Sequence, residues 1–155
     1  MISFRPASGG DVERIIDLTL EFENYLIDID DSLMSEPLPR ERYKDTLLKG
    51  LDDPKHLFLV AEDDTIIIGF IDYWYYPEFL HGGLTGYMNN LYIQEGYRGL
   101  GIGTQLVNEV IRSAKEKGVV AMHVPVKPGN HKAIEFYKKM GIKEMLAMME
   151  IRLDG

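Results

Sequence analysis

Gly96-Tyr97-Arg98-Gly99-Leu100-Gly101-Ile102-Gly103-Thr104 joins a strand-like run, Tyr87 to Ile93, to a helical run that ends near Lys117. Glycines at 99, 101 and 103 forfeit side-chain contacts, and each costs a helix about 1 kcal/mol relative to alanine. Something must therefore approach this backbone closely. A strand, a glycine turn and a helix N-terminus in that order make an anion site, because uncovered N–H groups point outward and the helix dipole adds partial positive charge. Arg98 adds a full charge beside it. A simple tight turn needs one glycine of positive φ and does not account for three.

Two familiar phosphate loops do not fit. The P-loop requires Lys followed by Ser or Thr after its last glycine, whereas Gly103 is followed by Thr104-Gln105. The dinucleotide fingerprint requires a third glycine three places after the second, and those places hold Thr104 or Leu106.

Composition bounds the rest. A chain of 155 residues, 45% hydrophobic and 27% charged, fits one globular domain over residues 1–155 with a core of its own. No apolar run approaches the roughly 18 residues of a membrane span, and Met1 to Pro6 lacks an apolar signal core, so a cytoplasmic protein is expected. The absence of cysteine excludes thiol catalysis and cysteine-ligated zinc. A net charge of −8 argues against nonspecific binding to nucleic acid or to anionic membranes, and suits a cationic substrate.

Along the chain, Ile2 to Arg5 reads as a strand, and Asp11 as the cap of a helix bearing Val12, Ile15, Ile16 and Leu20. Asp28, Asp30 and Asp31 fall in an acidic loop before a helix from about Pro39 to Leu51. Leu57 to Glu62 and Ile66 to Tyr76 form a hairpin, Pro77 to Gly83 a loop, and Leu84 to Ile93 the strand that enters the glycine turn. A helix to Gly118, a buried strand Val119 to Val126 and a helix from Asn130 to Gly141 follow. Ile142 to Leu146 and Met148 to Leu153 close the chain as two strands. The order βααβββαβαββ predicts an α+β fold, a mixed and largely antiparallel seven-stranded sheet with one parallel pair and about four helices.

With its flanks, the glycine stretch resembles the acyl-CoA-binding core of the GNAT superfamily of N-acetyltransferases. Their Arg/Gln-x-x-Gly-x-Gly/Ala signature stands here as Arg98-Gly99-Leu100-Gly101-Ile102-Gly103, Asn90-Leu91-Tyr92-Ile93 looks like the family's fourth strand, and Asn130 to Gly141 looks like its second motif. The resemblance implies acetyl-CoA as cosubstrate. It places the pyrophosphate on the backbone of Arg98, Gly99, Leu100, Gly101, Gly103 and Thr104, the pantetheine along Leu91 and Ile93, and Asn130 near the pantetheine end, although as an N-cap Asn130 needs no other role. It further implies that Tyr137 protonates the leaving thiolate, where spacing alone suggests a core tyrosine beside Ala133 and Met140.

The implied reaction is direct transfer of acetyl to a primary amine in a ternary complex, with a small cationic amine or polyamine as acceptor. Alternatives are a protein N-terminus or lysine, or a module that holds acyl-CoA without transferring it. Deprotonating a lysine-like amine at pH 7 costs roughly 4.6 kcal/mol, so a base or water relay is needed. Many relatives carry a carboxylate on the fourth strand, but Asn89 and Asn90 stand there and cannot take a proton. His81 and Glu78 are candidate bases from the preceding loop, though both also suit solvated positions. His123 reads as a core or site-lining group, and His56 and His131 as exposed. None has a metal-ligand spacing, so no metal is expected. Met145, Met148 and Met149 belong either inside or on a homodimer contact.

Overall fold

The computed structural model describes residues 1–30, 32 and 35–153. The chain divides into two compact units, Met1–Pro125 and Val126–Gly155. Asp31 of the expected acidic loop lies outside the described residues.

The first unit is built on a five-stranded sheet in the order β1-β2-β3-β4-β5. Its strands are β1 (Ile2–Pro6), β2 (His56–Asp63), β3 (Ile66–Glu78), β4 (Gly83–Ile93) and β5 (Val119–His123). All neighbours are antiparallel except β4 and β5, which run parallel. That parallel pair requires a crossover, supplied by α3 (Ile102–Glu116). Helices α1 (Val12–Ile29) and α2 (Arg40–Asp52) precede the hairpin.

Period-two alternation decides what each face of the sheet meets. Phe58 and Val60 of β2, Phe70 of β3 and Tyr92 of β4 form one core with Val12, Ile15, Ile16 and Leu18 of α1. Tyr73 faces the other way, and its hydroxyl shares a 2.8 Å hydrogen bond with Ser113 of α3. The buried stripe of α3 is Leu106, Val107, Val110 and Ala114, the helical spacing read from the sequence.

The second unit holds α4 (His131–Lys139). Asn130 caps it, its side-chain oxygen accepting the Ala133 N–H at 3.3 Å, and Gly141 ends it with φ of 83°. The expected strands at 142–146 and 148–153 are absent: these residues carry no ladder, so the sheet has five strands and not seven. Their alternating apolar pattern is a strand signal only where a neighbour accepts and donates the backbone hydrogen bonds, and Met145, Met148, Met149 and Ile151 stand exposed.

Three local expectations also change. β5 stops at His123 and not Val126, and Val120 is 62% exposed, because β5 is the edge of this sheet and not an inner strand. β3 runs two residues beyond Tyr76 to pair Glu78 with Gly83, which shortens the following loop. Asp28 belongs to α1 and not to a loop.

Asp11 precedes α1 but does not cap it through its side chain. Its carboxylate instead accepts the Ser8 N–H at 2.7 Å and a bidentate pair from Arg5 at 2.8 and 3.0 Å, while Arg5 also reaches Glu62 at 3.1 Å. The cluster ties β1, β2 and the start of α1 together. The Arg5 guanidinium and the Ser8 donors hold the Asp11 carboxyl down at about 2, against the opposing effect of burial. A depressed folded-state value stabilises the fold above the unfolded carboxyl's titration near pH 4 and is lost as pH falls toward 2. At 1.36 kcal/mol per unit this is on the order of 2 kcal/mol. Asp11→Asn is therefore expected to lower urea-unfolding stability by about that amount at pH 7, with the gap to wild type closing between pH 4 and 2; a gap that persists at pH 2 would contradict this role.

Candidate functional site

The parallel pairing of β4 with β5 begins at Leu84↔Val119 and ends at Tyr87↔His123. β3 stays with β4 as far as Gly69↔Ile93. From Met88 to Ile93, then, β4 is paired on one side, and its other edge has no strand among the described residues. The separation coincides with a bulge. β3 and β4 pair Asp72 with Asn90 and Tyr73 with Met88, which leaves Asn89 as the extra residue and turns the strand locally.

Asp72 fixes the bulge. Its side chain is buried, and Oδ1 accepts both the Asn90 backbone N–H at 3.1 Å and the Asn90 side-chain amide at 2.9 Å. Oδ2 lies 2.6 Å from Nε2 of His56. The His56 ring stacks on Phe58 at 4.3 Å and meets Trp74 edge-on at 5.3 Å. His56 is thus packed and paired, not exposed as the sequence suggested. Asp72 was missed altogether, although a signal existed: it is the one charged residue between Ile66 and Tyr76.

The open edge leads into the glycine turn. Leu91 and Ile93 are half-buried on β4, opposite Ile71 and Gly69. A short 3₁₀ turn at Glu95–Tyr97 follows, and it takes up the Arg98 backbone N–H, which is donated to the Glu95 carbonyl. The Arg98 side chain folds back: Nε donates to the Ile93 carbonyl at 2.9 Å, and the guanidinium lies over the rings of Tyr25 and Tyr92. Its charge is held where β4 ends.

Gly99 and Gly101 both adopt φ of 79°, a region that costs other L-residues about 1–2 kcal/mol. A Cβ built at either would meet no protein atom within 4 Å, so the glycines are not there to fit a neighbouring side chain. Gln105 is the first residue of α3 to give its N–H to a backbone carbonyl, that of Gly101. The N–H groups of 99–104 have no backbone acceptor among the described residues. The exposed Thr104 sits in this first turn. The arrangement is an unpaired strand edge running into a cluster of free donors at the positive end of a 15-residue helix, and it suits an extended ligand with amides along its length and an anion at one end.

Among the other residues singled out from the sequence, Glu78 and His81 hydrogen-bond to one another at 3.0 Å, and the Thr85 hydroxyl donates to the same Glu78 oxygen at 2.6 Å. His123 lies beside them, its ring 5.5 Å from that of His81. His131 is exposed, as expected. Within the second unit, Tyr137 packs edge-on against Phe136 at 5.1 Å, and burial pushes its phenol up to about 12. It stays protonated throughout the neutral range.

A model of the acetyltransferase (GNAT) family matches residues 23–142. The thialysine N-epsilon-acetyltransferase of Mus musculus is 26% identical over 97% of this chain and 89% of its own length. An N-alpha-acetyltransferase of Sulfurisphaera tokodaii is 27% identical over 99% of this chain and 94% of its own. The crystal structure of a predicted acetyltransferase from Clostridium acetobutylicum with acetyl-CoA superposes with a TM-score of 0.79 at 22% identity, covering 99% of this chain and 97% of that one.

Gly101→Ala separates the backbone requirement from the ligand. The added methyl has space in the free protein, so the expected loss of thermal stability is only the strain of about 1–2 kcal/mol. Coenzyme A affinity, measured by titration calorimetry, is expected to fall by more than about tenfold, or 1.4 kcal/mol. Unchanged affinity would remove this turn from the binding site.

Proposed function

The chain belongs to the acetyltransferase (GNAT) family, and on that premise we propose how this acetyl-CoA-dependent N-acetyltransferase binds its cosubstrate and moves its protons. The observation that carries the proposal is the β4 edge, which parts from β5 beyond Tyr87 and leads to the N–H donors of the glycine turn, which have no backbone acceptor among the described residues. Pantetheine lies along this edge, pairing its amides with the backbone of Leu91 and Ile93. The pyrophosphate sits on the N–H groups of Gly99, Leu100, Gly101, Gly103 and Thr104, with Arg98 contributing charge from the end of β4. Asn130 acts near the pantetheine end in addition to capping α4.

The attacking amine must lose a proton. The fourth-strand carboxylate that many relatives carry is absent here, but Asp72 brings one from the adjacent strand to the side of Asn90. We propose that a water held at Asn90 passes the amine's proton to the Asp72–His56 pair. The amine nitrogen then bonds to the thioester carbonyl carbon, the C–S bond breaks, and Tyr137 donates its phenolic proton to the departing thiolate. A phenol raised to about 12 remains in the donor form at every pH at which the amine reacts.

The acceptor is a small cationic amine. Supporting this are the net charge of −8, the acidic residues Glu21, Glu23, Asp28 and Asp30 along the end of α1 and just beyond it, and the likeness to a thialysine acetyltransferase. The likeness to an N-alpha-acetyltransferase supports a peptide N-terminus as the second reading. Thiol release with a panel of polyamines, lysine analogues and short peptides distinguishes them.

Asp72→Asn is expected to lower kcat at pH 7 by about a hundredfold. The deficit should shrink as pH rises toward the amine's own pKa, because the acceptor then arrives deprotonated. A parallel drop at all pH values would leave Asp72 only a structural role. Tyr137→Phe should lower kcat at least about tenfold with acetyl-CoA affinity intact, and unchanged turnover would remove Tyr137 from the mechanism.

A further inference from the structure

At the far end of β3 and β4 from the glycine turn, three side chains from separate stretches converge. Glu78 is the last residue of β3, His81 lies in the loop that follows, and His123 ends β5. One ligand atom from each falls within 4.8 Å of the others. All three are only partly exposed. Sequence spacing alone hid the grouping, because the third member comes from another strand and arrives through the parallel pairing that sets His123 opposite Tyr87.

The three side chains are not equally satisfied. Glu78 and His81 bond to each other, and the fully buried Thr85 gives its hydroxyl to Glu78. The Nε2 of His123 is buried and has no hydrogen-bond partner among the described residues. A buried ring nitrogen left unmatched carries a desolvation cost with no return. It points to something that the protein's own groups do not supply.

We propose that Glu78, His81 and His123 bind a zinc ion. Two imidazoles and a carboxylate are a donor set that zinc favours, and three protein ligands leave its fourth position to water. The Thr85 hydroxyl orients the carboxylate, in the way that hydrogen bonds to ligating groups fix their direction in metal sites. A cleft of about 460 Å³, lined by Pro77, Glu78, Phe79, Gly82, Gly83 and Leu84, opens beside Glu78. The ion would clamp the β3–β4 loop to the last paired residue of β5, just where β4 and β5 part. The acetyl-transfer reading assigns no role to these three side chains.

The test uses tag-free full-length protein, stripped with chelator and titrated calorimetrically with zinc chloride. One zinc per chain, at micromolar or tighter affinity, is expected. His81→Ala and His123→Ala should each weaken binding at least tenfold, Glu78→Gln should weaken it too, and His131→Ala should bind like wild type. Zinc should also raise the melting temperature of wild type and leave that of His123→Ala unchanged, a readout independent of activity. Circular dichroism of each variant establishes that it is folded. If a folded wild type takes up no stoichiometric zinc, or folded His81→Ala and His123→Ala bind it as tightly as wild type, the site is only a hydrogen-bonded cluster and the proposal falls.

Discussion

A buried carboxylate cannot be left without partners, and Asp72 finds its partners in a way that shapes the strands around it. Removing one partner of a buried charged pair typically costs about 3–5 kcal/mol. Asp72 avoids this by drawing the Asn90 N–H out of the ordinary ladder, taking the Asn90 amide as well, and holding His56 against its other oxygen. The demand of one side chain is thereby met by backbone geometry: Asn89 is extruded, and β4 continues beyond the bulge without β5.

The other elements keep that arrangement rigid. Phe58 and Trp74 confine the His56 ring. On the opposite face, the link from Tyr73 to Ser113 holds α3 to β3 next to the bulge. At the end of β4, Gly69 lets the strands come close: a Cβ there would stand 2.9 Å from the Tyr92 carbonyl oxygen. The exit of β4 into the glycine turn is fixed by backbone contact as well as by the fold of the Arg98 side chain over Tyr25 and Tyr92.

Features whose cause is local were legible in the sequence. Glycine at 99 and 101 reflects a backbone angle that belongs to those residues, and the cap at Asn130 spans three positions, so neither needs knowledge of the rest of the chain. Features that depend on strand register were not. Asp72 stands out in the sequence as a lone charge in an apolar run, but its partner Asn90 is set only by the bulge, and His56, which looks like a surface residue at the start of a strand, is enclosed by partners far away in the chain. Residues 142–153 show the opposite failure: a good alternating pattern is necessary for a strand but does not supply the neighbour that makes one. His123, read as part of a buried strand, sits instead on the sheet's edge strand, where it meets Glu78 and His81.

A strand edge left unpaired within a folded sheet is also a matter of protein lifetime. Such an edge is a template for pairing with another chain, the usual first contact of aggregation, and from Met88 to Ile93 this sheet keeps one with no strand on it among the described residues. A ligand that lies along it serves as a temporary sixth strand. By mass action, ligand at a hundred times its dissociation constant adds about 2.7 kcal/mol to the folded state. On the proposed binding mode, the supply of acetyl-CoA therefore governs how long the enzyme survives as well as how fast it works.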